Sequence, residues 1–158
     1  CMAKGIDSSK IFFDPLVLPV GAAQEQAVQV LDTLRMLKES FDPPVKTVVG
    51  LSNISNGAPK ELRPLINRVF GVLAYGAGLD AAIIDAKDKE LVRIFKMLER
   101  EVPENEIDEL YLKLVREENP PGSTAAYHPP LARGAADVLK TAEILLNKKI
   151  YSPSFLQV

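Results

Sequence analysis

Three short apolar runs alternate along the chain with stretches in which apolar residues recur every three or four positions. The runs are Ile11-Phe12-Phe13, ending at Asp14-Pro15; Thr47-Val48-Val49, ending at Gly50-Leu51-Ser52-Asn53; and Ala81-Ala82-Ile83-Ile84, ending at Asp85. Each run is continuous rather than alternating, the pattern of a strand buried on both faces of a parallel sheet. Between them, 24–38 places Ala27, Val30, Leu31, Leu34 and Leu37 on one helical stripe. That helix stops before Asp42-Pro43-Pro44, which cannot continue it. A second helix is predicted over 62–75, with Leu62, Leu65, Ile66, Val69, Phe70 and Leu73 on one face. Pro64 is tolerated in its first turn, and Gly76 and Gly78 close it.

Beyond Asp85 the pattern changes. Residues 88–101 read as a helix with Leu91, Ile94, Phe95 and Leu98 inward. Another follows Asn105, a good N-cap, with Ile107, Leu110, Tyr111 and Leu114 at the same spacing. Asn119-Pro120-Pro121-Gly122 to Pro129-Pro130 reads as an irregular loop. A last helix is predicted over 135–148, facing inward with Val138, Leu139, Ala142, Leu145 and Leu146.

The order β-α-β-α-β makes the class α/β with right-handed crossovers. A buried strand needs hydrogen-bonded neighbours on both sides, and an open sheet of this kind would expose apolar edges. The pattern therefore asks for more sheet than these units supply. A (β/α)₈ barrel of which these are the C-terminal units is one answer, and a doubly wound domain is another. The chain opens on Cys1-Met2 rather than Met, and Lys4-Gly5 reads as the end of a helix already under way, so an upstream part of a parent chain is expected.

The 158 residues suit one domain, spanning 1–158. Nineteen basic and 21 acidic side chains show no clustered basic surface, which argues against nucleic acid. No apolar run reaches the ~18 residues of a membrane span, and no signal-peptide pattern opens the chain. The single cysteine, Cys1, excludes an internal disulfide and suits a reducing cytoplasm.

Polar residues stand at the predicted strand C-termini: Asp14, then Ser52, Asn53 and Asn56, then Asp85. This is the end where sites form in βα barrels and open α/β sheets. The same residue types also serve simply to cap the next helix. A carboxylate at Asp14 matches paired N–H donors on an aminopyrimidine edge. The stretch Gly50 to Gly57 holds amides and hydroxyls but no Lys or Arg, which suits a neutral heterocycle better than a pyrophosphate. His128, the only histidine, falls in the Pro-rich loop and reads as solvated surface, and no metal ligand set is expected.

Phe13-Asp14-Pro15-Leu16, Gly50-Leu51-Ser52-Asn53-Ile54-Ser55, Arg63-Pro64-Leu65-Ile66-Asn67-Arg68, Gly78-Leu79-Asp80-Ala81-Ala82-Ile83 and Thr141-Ala142-Glu143-Ile144-Leu145-Leu146-Asn147 occur in this order. Together they resemble the methyltetrahydrofolate:corrinoid/iron–sulfur protein methyltransferases of the reductive acetyl-CoA pathway, over 1–92 and 136–158. The resemblance implies the last three βα units of a pterin-binding (β/α)₈ barrel, with a helical and Pro-rich insertion at about 93–134 near the last helix. It implies that methyltetrahydrofolate is the substrate and that a corrinoid carried by a partner protein is the acceptor. It implies further a homodimer in the complete enzyme, built with the N-terminal half of the barrel.

By the same resemblance Asn53 hydrogen-bonds near N5, the atom that carries the methyl group. Asp14 holds the pyrimidine edge, and Gly50, Ser52 and Asp85 line the pocket. Asn56 stands where relatives often carry Gln. Arg63 reaches toward the anionic benzoyl-glutamate tail, or salt-bridges at the surface. The upstream strands of that family also contribute acidic and amide contacts, and none is present in this sequence. Dihydropteroate synthase shares the barrel, but its loop resembles Ser-Arg-Lys where this chain has Ser52-Asn53-Ile54. The methyltetrahydrofolate-binding part of a cobalamin-dependent methionine synthase has a similar Ser-Asn motif, although the Arg63 to Arg68 stretch fits the corrinoid-protein group better. A non-catalytic truncated barrel or subunit is the reading of a different class.

Overall fold

The computed structural model describes residues 4–116 and 134–156. Three strands, β1 (Phe12–Phe13), β2 (Lys46–Gly50) and β3 (Ala81–Ile83), form a parallel sheet in the order β1-β2-β3. Phe12 pairs with Lys46 and Phe13 with Thr47; Val48, Val49 and Gly50 pair with Ala81, Ala82 and Ile83. The expected strand order and direction are therefore present, though β1 and β3 are shorter than their apolar runs.

Helix α1 (Glu25–Ser40) links β1 to β2, and α2 (Arg63–Gly76) links β2 to β3. After β3 come α3 (Lys89–Arg100), α4 (Glu106–Arg116) and α5 (Ala135–Leu145). The Pro-rich loop, with His128, lies outside the described residues. Asp88 caps α3 by accepting the Leu91 N–H at 3.0 Å. Asn105 Oδ1 accepts the N–H groups of Ile107 and Asp108, each at 3.0 Å, at the start of α4.

Among the described residues the strands are covered on one face only. Register places Phe13, Thr47, Val49 and Ala82 on one face, and Phe12, Lys46, Val48, Gly50, Ala81 and Ile83 on the other. The helices cover the first face, where Thr47 and Val49 are fully buried. Among the described residues nothing covers the second, so Phe12 is 50% and Ile83 68% exposed.

Helix α2 also departs from its predicted single stripe, being buried continuously from Val69 to Ala74. The reason is that α3, α4 and α5 all pack against it. Gly76 permits the approach of α4, since a Cβ there would lie 3.0 Å from the Val115 carbonyl oxygen. An ion pair locks the α3–α4 hairpin: Arg93 donates to both oxygens of fully buried Asp108, at 2.9 and 2.7 Å.

The end of the sheet away from the strand C-termini is tied by Asp80. Its Oδ2 accepts the Thr47 N–H at 2.7 Å, the Thr47 hydroxyl at 2.9 Å, and the Lys38 ammonium. Burial works to raise the Asp80 pKa, but these hydrogen bonds outweigh it and hold the carboxyl below its ordinary value.

Candidate functional site

Parallel pairing carries the chain ends of all three strands to one edge of the sheet. Asp14 directly follows β1, the Gly50 to Asn56 turn follows β2, and Asp85 lies two residues beyond β3. Asp14, Asn53 and Asp85 thus share one end and are all exposed.

The turn after β2 is a 3₁₀ helix, Leu51–Ser55. Leu51 and Ile54 are three apart, so in a three-residue turn they share one side, and both are completely buried. Ser52 and Asn53 are left outward. Ser55, also buried, donates its hydroxyl to the Ser52 carbonyl at 3.2 Å. The Ile54 carbonyl accepts the Val20 N–H at 2.9 Å, fastening the turn to the segment after β1. The i, i+3 spacing of Leu51 and Ile54 was the available signal for this element.

Gly50 allows the Asn53 amide to fold back on the strand end, since a Cβ at Gly50 would lie 3.1 Å from Asn53 Nδ2. Asn56 closes the turn through its N–H to the Asn53 carbonyl at 3.1 Å. Its side chain reaches Asn53 Oδ1 only at 3.5 Å, a weak contact.

Asp14 Oδ1 accepts the Leu16 N–H at 2.9 Å. The carboxylate therefore does act as a local turn cap. Each carboxylate oxygen has more than one acceptor site, so both remain able to receive a ligand's N–H donors. The same bond supports Leu16 at φ 57°, a conformation uncommon for a side chain of this size. Nothing in the sequence pattern marked Leu16.

The other expected residues gather in a cleft of about 580 Å³, within the range of small-molecule sites. Ser52, Asn56, Arg63 and Asp85 line it, whereas Asp14, Gly50 and Asn53 do not. Arg63 spends its Nε–H on the Ala58 carbonyl at 2.8 Å. Asp85 Oδ1 accepts the Lys87 N–H at 2.9 Å. Arg68 pairs with Asp88 at 2.7 and 3.3 Å. Burial raises the Asp88 pKa, but the Arg68 hydrogen bond, the Leu91 N–H and the Arg68 charge outweigh it and lower the carboxyl overall. Asn67 joins the lining with its Oδ1 buried and unbonded among the described residues. Among the described residues no group of His, Cys, Asp and Glu is placed to hold a metal, and no helix is long and apolar enough to cross a membrane.

The family model for pterin binding enzymes matches residues 1–85, the stretch that holds all three strands and their C-terminal turns. The chain belongs to the pterin-binding enzyme family. Two curated relatives sharpen the comparison. The methionine synthase of Mycobacterium leprae (strain TN) is 38% identical over 86 residues, 52% of this chain and 7% of that protein. The methionine synthase of Mycobacterium tuberculosis (strain ATCC 25618 / H37Rv) is 37% identical over 86 residues, covering the same shares. The chain thus spans about 7% of the length of these relatives.

Proposed function

We propose that this chain supplies part of the methyltetrahydrofolate site of a methyltransferase whose acceptor is a corrinoid, within a closed (β/α)₈ barrel. The observation that carries the reading is the Gly50–Asn53 turn, which holds a neutral amide at the strand end of a family that binds pterins. The uncovered apolar face of the sheet is in keeping with a barrel interior.

The chemistry suits a site without a charged side chain beside the leaving nitrogen. N5 leaves poorly until it gains a proton or a strong hydrogen bond. The corrinoid supplies a nucleophilic cobalt(I) centre when its carrier docks. Asn53 hydrogen-bonds at N5, and this bond strengthens as charge shifts onto nitrogen in the transition state. Asp14 accepts the N–H donors of the pyrimidine edge and fixes the ring's orientation. Gly50 and Ser52 shape the wall beside Asn53, while Asn56, Arg63 and Asp85 serve the outer part of the ligand.

The expected acceptor, a separate corrinoid/iron–sulfur protein, competes with a second reading. The methionine synthase relatives favour the methyltetrahydrofolate-binding part of a cobalamin-dependent methionine synthase. Both place the same chemistry on the same residues, and both put the site in the cytoplasm. Incubating the methylated folate with each corrinoid carrier separates them by which carrier becomes methylated.

Two substitutions test the shared mechanism. Asn53→Ala is expected to lower single-turnover methyl transfer by about 10²–10³-fold with a smaller loss of pterin affinity. Asp14→Ala is expected to act mainly on affinity, because its contact is much the same in ground and transition states. An Asn53→Ala protein that loses only affinity, with its saturated rate unchanged, would sink the assignment.

A further inference from the structure

The turn that carries Asn53 is tied to the segment after β1, and that segment is tied to the end of the chain. Ile54, the residue after Asn53, accepts the Val20 N–H on its carbonyl at 2.9 Å. Val20 belongs to the tight turn from Pro19 to Ala23, where the Pro19 carbonyl accepts the N–H groups of Ala22 and Ala23, each at 3.0 Å. Val20 is buried, while its neighbour Gly21 meets the Tyr151 ring. A Cβ on Gly21 would lie 3.2 Å from Tyr151 Cε1, 3.8 Å from Cδ1 and 3.9 Å from Cζ, its three nearest neighbours. The Gly21 backbone is outside the left-handed region, so glycine serves here to let the ring come close.

Tyr151 is itself held at several points. Its N–H donates to Gln24 Oε1 at 2.7 Å, and its ring packs on Phe155 with centroids 6.0 Å apart. Two residues earlier, the Lys149 ammonium lies 2.7 Å from the buried Glu143 carboxylate. The Asn53 amide, by contrast, has only a weak 3.5 Å contact with the Asn56 side chain, so the backbone of its turn decides where it points. We infer that Tyr151 is a positioning residue for Asn53. Its ring braces Gly21, Val20 passes that position to the Ile54 carbonyl, and the turn sets the direction of the amide. Ring carbons make the contact, so the hydroxyl is dispensable. This inference rests on the pterin reading above and adds a residue far along the chain that sets the geometry of the site.

The test uses the full-length protein, with methyltetrahydrofolate as donor and free cob(I)alamin as acceptor. Tyr151→Ala is expected to lower the single-turnover rate at saturating pterin about tenfold, the effect of moving a reacting contact by part of an ångström. The pterin dissociation constant should change by less than about twofold. In the pterin-free protein the Asn53 side-chain amide resonances should shift. Tyr151→Phe keeps the ring carbons and should restore both the rate and the resonances. Gly21→Ala presses on the ring from the other side and should lower the rate about threefold, with the same resonances shifted. It decides the matter if Tyr151→Ala does not fold. A wild-type rate in Tyr151→Ala or Gly21→Ala overturns the inference and leaves the pterin reading standing. So does a slowed variant whose Asn53 resonances have not moved, or a Tyr151→Phe protein as slow as Tyr151→Ala. A wild type that neither binds the pterin nor transfers its methyl group overturns the pterin reading itself.

Discussion

The Asn53 side-chain amide lies against Gly50, so close that a methyl group on Gly50 would meet Asn53 Nδ2 at 3.1 Å and Cγ at 3.7 Å. The Gly50 backbone, at φ −76° and ψ 83°, lies in a region open to any L-residue. The tight spot at Gly50 is thus set by the Asn53 amide and not by the backbone. Gly50→Ala is expected to leave the fold intact and to turn the Asn53 amide off the strand end. Methyl transfer should then fall by about ten- to a hundredfold, the cost of misplacing a reacting contact by an ångström. Single-turnover rates with unchanged circular dichroism check this, and an unaltered rate would mean that Gly50 does not position the amide.

Asp108 makes the α3–α4 hairpin sensitive to acid. The hydrogen bonds from Arg93 do most to hold its carboxyl below the ordinary aspartate value, against a burial effect that raises it. The Arg93 guanidinium is correspondingly shifted upward by Asp108 and Glu90. With the folded pKa below the unfolded one, the stabilisation is complete above about pH 4 and is lost as pH falls through the folded value. Asp80 and Asp88 shift in the same direction and add to the effect. Asp108→Ala is expected to cost about 3 kcal/mol at neutral pH, by leaving Arg93 without its buried partner. Asp108→Asn should unfold over a shallower acid range than the wild type. Urea titrations between pH 2 and about 7 measure both, and identical acid slopes would contradict the assignment.

Gln24 binds the end of the chain to the start of α1. Its Nε2 donates to the Ile144 carbonyl at 2.9 Å and to the Lys149 carbonyl, and its Oε1 accepts the Tyr151 N–H at 2.7 Å. Gln24→Ala removes all of these at once and is expected to lower stability by about 1–2 kcal/mol. Faster amide exchange at Tyr151 should accompany it. Unchanged exchange at that amide would show that the segment is held by packing of Tyr151 and Phe155 instead.

The alternation of apolar runs and helical stripes was enough to place three parallel strands and their linking helices, because side-chain period reports local conformation directly. The end of the sheet that carries Asp14, Asn53 and Asp85 followed from the same pattern, since parallel strands joined by helices must bring their C-termini to one edge. What covers each surface was not legible. Whether a run of apolar residues is buried depends on which helices pack beside it, so Phe12 and Ile83 read as core and stand exposed. Helix α2 reads as one-sided and is enclosed, because Gly76 admits α4 at its back. The division of the expected site residues was tertiary as well. Asn53 and Ser52 are adjacent in sequence, yet Ser52 lines the basic cleft and Asn53 does not. That separation arises because burying Leu51 and Ile54 winds the turn into a 3₁₀ helix, which points successive side chains in different directions.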